Sequence, residues 1–268
     1  MNWMNLGLAI AVGAFATLIT HIIVRKPRKR WVCYTIVFIS FSGVFFTITC
    51  LYTVRESNTQ KFFSDVEVTL REMPAYKQIS QYDPETYQRI QIEIQKSLEK
   101  GENKSQTIQK IRLIIAELVE KYLPYASDEA LLVYMSVIIQ EIEELAGKSP
   151  ELCFQFLFPK QYGAIDVTRY IRPETQKADL ESLAVVIRTG AENPVHIQDF
   201  SGYDALIENI ITNLHEMYGD DALLLENPHA PGIDKEKFCR MMVTLYREIL
   251  KLPKKDSVLI LRRMLATK

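Results

Sequence analysis

No acidic side chain occurs among the first 55 residues, and the whole chain of 268 residues has only four histidines and four cysteines. His21, His196, His215 and His229 are scattered, no HExxH spacing occurs, and no CxxC pair is present, so the sequence calls for neither a metal site nor a cofactor. His215 and Glu216 stand near Asp220 and Asp221, but a helix end followed by an acidic turn accounts for all four. GxSxG and a phosphate-cradling glycine loop are missing as well. Only ten residues are glycine, which excludes collagen-like or low-complexity chains, and 48% hydrophobic against 24% charged residues excludes disorder.

Charge is unevenly placed. Arg25, Lys26, Arg28, Lys29 and Arg30 fall within six positions. They leave 27 basic against all 33 acidic residues on the 214 residues 55–268, a net charge of −6. A nucleic-acid binder needs a basic domain or stripe against phosphates, so no nucleic-acid partner is expected.

The runs 3–24 and 31–54 carry no formal charge, and at 1.5 Å per residue each reaches roughly 30 Å or more, the thickness of a hydrocarbon core. Residues 1–54 are therefore expected to form a transmembrane helical hairpin, with spans of about 3–24 and 32–54. Pro27 breaks the helix between them. A cleaved signal peptide carries its positive charge before the apolar run, whereas here the cluster follows it. The five cations make the 25–30 loop cytoplasmic and put both chain ends across the membrane. The expected location is the inner or plasma membrane, multi-pass, with residues 55–268 extracytoplasmic. Ala9, Gly13 and Thr17 in the first span, and Ser40, Gly43, Thr47 and Cys50 in the second, recur at helical spacing. Such small residues close the hairpin or form a homo-oligomer seam.

Beyond Thr59 the signals are helical. Asp83-Pro84-Glu85 and Ser149-Pro150-Glu151 each place a cap acceptor, a proline at the first helical position and an acid in the first turn. Arg172-Pro173-Glu174 has the same form without the cap, Asp234 caps a later helix, and Gly101 stops an earlier one. Stripes at helical period run through Ile108, Ile111, Ile115, Leu118 and Tyr122; through Leu206, Ile207, Ile210, Ile211, Leu214 and Met217; and through Phe238, Met241, Met242, Leu245 and Ile249. The segment 130–139 has only Ser136 as a polar residue, which marks a helix in the middle of a bundle. The expectation is an all-α, bundle-like domain of roughly eight helices, with 158–171 the one place for a short extended segment. The 158–173 and 226–232 stretches are candidate seams between subdomains.

Cys153 and Cys239 lie on apolar helix faces, where a free thiol is an ordinary core residue; in an oxidising compartment a disulfide between them is permitted. Glu56-Ser57 and Glu181-Ser182 match the Glu-Ser dipeptide of lysozyme-like transglycosylases, and an envelope hydrolase acting on cell-wall material is the alternative function. No glycine-rich or aromatic sugar cleft accompanies either match. Glu141, Glu143 and Glu144 read as a solvated face. The principal reading is an integral two-span protein whose helical domain binds a protein partner outside the cytoplasm, as an immunity protein or an accessory subunit of a secretion or assembly complex does. Phe154, Phe156, Phe158 and Tyr162, four aromatics within nine residues, are the candidate interface, since exposed aromatics supply contact area at low entropic cost.

Overall fold

Prolines and short polar acceptors start the helices where the sequence places them. The computed structural model describes residues 72–196 and 199–266; the expected spans, the 25–30 loop and Glu56-Ser57 lie outside the described residues. Among the described residues ten α-helices follow in order: α1 (Pro74–Tyr82), α2 (Pro84–Lys100), α3 (Lys104–Tyr122), α4 (Asp128–Ala146), α5 (Pro150–Leu157), α6 (Pro159–Tyr162), α7 (Pro173–Glu192), α8 (Tyr203–Tyr218), α9 (Lys235–Lys251) and α10 (Lys254–Ala266). Short 3-10 turns cover Leu123–Tyr125, Val167–Arg169 and Gly219–Leu225. The described residues contain no strand, and none of their helices is long and apolar enough to cross a membrane. The extended segment expected at 158–171 is absent: Pro159 starts a one-turn helix there, and Val167–Arg169 is a 3-10 turn.

The caps are local chemistry. Asp83 ends α1 and begins α2: its Oδ1 accepts from the Thr86 amide at 3.1 Å, while Oδ2 takes Lys121 Nζ at 2.8 Å. Ser149 and Asp234 cap α5 and α9, and Gly101, at φ 71°, closes α2 in the left-handed region that favours glycine. Asn103 and Gln106 exchange bonds in a capping box at the start of α3.

The apolar segment expected at the centre is there. α4 buries nine residues along its length and packs against α5, α7, α9 and α10. α7 in turn packs against α1 and α3. The stripe expected on α8 is narrower than the sequence implied: Ile210 and Leu214 are buried, whereas Ile211 and Met217 are exposed. A main core joins residues of α1, α2, α3, α4, α7, α8, α9 and α10. A second core, with Ile142, Leu145, Ile165, Val167 and Ile171, surrounds Cys153 and Cys239 at the end of α4.

Gly190 decides how closely α7 approaches the end of α3. A Cβ there would lie 2.7 Å from the Tyr122 carbonyl oxygen, which is backbone and has no rotamer to move. Gly190→Ala is therefore expected to push the two helices apart and cost about 1–3 kcal/mol, the usual range for overpacking. Denaturant unfolding of the variant checks this, and an unchanged midpoint would sink it.

Candidate functional site

Three of the four candidate aromatics converge. Pro150 starts α5 and Pro159 starts α6, so the chain turns sharply at Phe158 and brings Phe154, Phe158 and Tyr162 to one place. Phe154 touches Phe158 at 5.0 Å, Tyr162 at 4.9 Å and Phe238 of α9 at 5.4 Å between ring centroids. His229 completes the group, 4.9 Å from the Phe158 ring and with Nδ1 3.2 Å from the Tyr162 hydroxyl. Phe156 goes elsewhere: it is half-buried and lies under the Arg112 guanidinium at 4.8 Å.

Burial separates their roles. Phe154 is 1% exposed and belongs to the interior, Phe158 is half-buried, and Tyr162 is 38% exposed. Tyr162 and His229 stand on the wall of an open groove of about 590 Å³ between the starts of α5 and α9, with Glu151, Asp234, Lys235 and Glu236 around it. Lys160 pairs with Glu120 of α3 at 3.1 Å, and Gln155 Nε2 donates to the Tyr162 carbonyl at 3.3 Å, so both ends of the one-turn α6 are anchored. The sequence offered no sign of His229 as a member: it stands 67 positions from Tyr162 in a loop.

Beneath the groove, Cys153 and Cys239 are joined by a disulfide across 86 positions. Both are fully buried on apolar helix faces, but they are bonded to each other, so the expectation of ordinary free core thiols does not hold. The bond ties α5, which carries the aromatics, to α9, which carries Phe238.

The acidic run on α4 is not a solvated face. Only Glu143 reaches solvent appreciably, paired with Arg247. Glu144 turns to α7, where it accepts the Arg172 amide at 2.7 Å, Arg172 Nε at 2.9 Å and Thr175 Oγ1 at 2.6 Å. It thereby takes up, from another helix, the Arg172 amide at the start of α7. Burial acts to raise the Glu144 carboxyl, but the Thr175 and Arg172 bonds outweigh it and hold the group below the usual carboxylate range. Glu141 is fully buried, and neither of its oxygens has a hydrogen-bond partner. Arg112 Nη2 lies 3.6 Å from Oε2, close enough for an ion pair and too far for a hydrogen bond. Burial, with the nearby Asp179 charge, pushes the Glu141 carboxyl up to about 8 against the pull of Arg112; Asp179 is raised by burial in the same way. The signal for this was in the sequence: Glu141 shares a helical face with Tyr134, Ile138 and Leu145.

The remaining sequence candidates do not assemble. Glu181 projects from α7 into solvent with Lys177 3.8 Å away, while the Ser182 hydroxyl is spent on the Asp179 carbonyl at 3.0 Å. Asp221 pairs with Lys237 at 2.8 Å, and the described residues contain no group of His, Cys, Asp and Glu placed to hold a metal ion. Comparisons with family models, with curated proteins and with solved structures find no match to this chain.

Proposed function

We propose that the chain is a membrane-tethered protein-interaction module of the cell envelope, whose helical domain binds a partner outside the cytoplasm through the groove at Tyr162 and His229. The observation that carries this reading is the exposed Tyr162 ring, held at the groove on Phe154 and Phe158 above a disulfide that joins α5 to α9. A rigid aromatic beside a concave surface loses little entropy when it is covered, which is how interface anchors work. The disulfide also supports the topology, since such bonds persist in oxidising compartments and the cationic 25–30 loop favours the cytoplasmic side for itself. An immunity protein or an accessory subunit of a secretion or assembly complex fits this plan, with residues 1–54 as the two-span hairpin that concentrates the domain at the membrane or pairs with a second copy.

Tyr162→Ala should leave the melting temperature within about 2 °C of the wild type, because a partly exposed side chain contributes little to folding. A photo-crosslinking residue at position 162 should trap one protein partner in the host envelope, and Tyr162→Ala should lose it in pull-down. Intact capture by Tyr162→Ala would defeat the reading. So would a reporter fused after Lys268 that is active in the cytoplasm.

A further inference from the structure

In the seam of α3, α4 and α7 a fully buried carboxylate faces a guanidinium at 3.6 Å, within reach of a second carboxylate's charge. Glu141 comes from α4, Asp179 from α7 and Arg112 from α3. If both carboxylates are ionised, the seam holds one negative charge more than it can pair, at a place where Glu141 has no solvent exposure and no hydrogen-bond donor. Glu144 does not relieve this, since it is itself acidic and committed to Arg172 and Thr175. A low-dielectric interior tolerates an unpaired charge poorly, and the usual escape is to keep the proton. Arg112 also reaches α5, where its guanidinium lies on the Phe156 ring.

We propose that this seam is a proton-operated latch: one proton held on Glu141 keeps α3, α4 and α7 closed with Arg112 seated on α5, and loss of that proton loosens the seam. The latch stands on the seam alone and does not rest on the interaction reading above. The groups facing Glu141 act in both directions. Arg112 favours the ionised form; Asp179 and Glu144 oppose it. Tyr134 on α4 and Tyr76 on α1 stay uncharged, the first raised well above its ordinary value and the second pushed up to about 12, in each case by burial first and the Asp179 charge second.

With Glu141 at about 8 in the closed form and at the ordinary carboxylate value once opened, the closed form holds the extra proton throughout the interval between. Opening therefore becomes easier as pH rises through that interval, and the gain stops above about 8. Hydrogen exchange on the full chain in mild detergent, corrected for intrinsic rates, reads this directly. Between about pH 6 and about pH 9 the opening constant of α4 and α7 amides should rise on the order of a hundredfold in the wild type. Glu141→Gln, a neutral side chain of the same shape, should show no such rise, and Asp179→Asn should shrink it by removing the neighbouring charge. Infrared difference spectra should contain a carboxylic-acid carbonyl band near neutral pH that Glu141→Gln lacks. A wild type without the rise, or the same rise in Glu141→Gln, would overturn the latch. Crosslinking through position 162 that is already absent at the lower pH defeats the interaction reading instead and leaves the exchange result to judge the latch.

Discussion

Replacing Cys153 and Cys239 together by alanine is expected to lower the stability of the helical domain by about 4–5 kcal/mol, the loop-closure entropy for a crosslink spanning 86 positions. That is a large part of the 5–15 kcal/mol typical of a domain, roughly enough to unfold a marginal one. The singles discriminate between a crosslink and mere core packing. Each single alanine variant already breaks the bond, so the double should cost little more than either, whereas two independent core side chains would add. Denaturant titration of residues 59–268, followed by circular dichroism, gives all three numbers. A double variant that costs about twice each single, or a wild type indifferent to reductant, would sink the expectation. Made in a reducing compartment, the domain should show the lower midpoint of the alanine pair.

The second large effect lies at the C-terminal helix. Arg262 on α10 is 2% exposed, and its guanidinium donates to the Pro124 and Ala126 carbonyls and to Asp128 Oδ1. These acceptors belong to the turn between α3 and α4 and to the start of α4. Arg262→Met removes the donors and leaves two carbonyls without them, which at 1–3 kcal/mol for each unsatisfied group amounts to about 4 kcal/mol. Arg262→Lys keeps the charge, but a single ammonium cannot reproduce a planar fork across three acceptors, so it should recover less than half. The loss should be shared by α10 and by the start of α4 in hydrogen exchange, because one side chain ties both. Full recovery by lysine would show that charge, and not the fork, is what the site uses.

Much of the helical plan was legible because its determinants are local. Asp83, Ser149 and Asp234 cap helices with their own side chains, and the proline that follows two of them belongs to the same turn. Glu144 shows the limit of such reading. From α4 it takes up the Arg172 amide at the start of α7, a partner 28 positions away and invisible to any pattern within a helix. The α8 stripe fails for a related reason: helical period says which residues share a face, but only the number of neighbouring helices says how wide a face is covered, and Ile211 and Met217 fall outside it. The candidate site divides in the same way. Aromatic density singled out Phe154, Phe158 and Tyr162, while Phe156, with the same composition signal, sits on the opposite side of α5 under Arg112.

By itself the sequence determined the helical class, most of the caps, the central place of α4 and the charge asymmetry of the first 55 residues, since each depends on spacing within one turn or one uncharged run. Tertiary structure decided which cysteines meet, that His229 joins the aromatics, and that Glu141 faces Arg112 and Asp179 in a closed seam and not water. Those outcomes depend on which helix packs on which. Pairing of that kind comes from side-chain shapes summed over a whole core, and a carboxylate's ionisation follows from the burial that results.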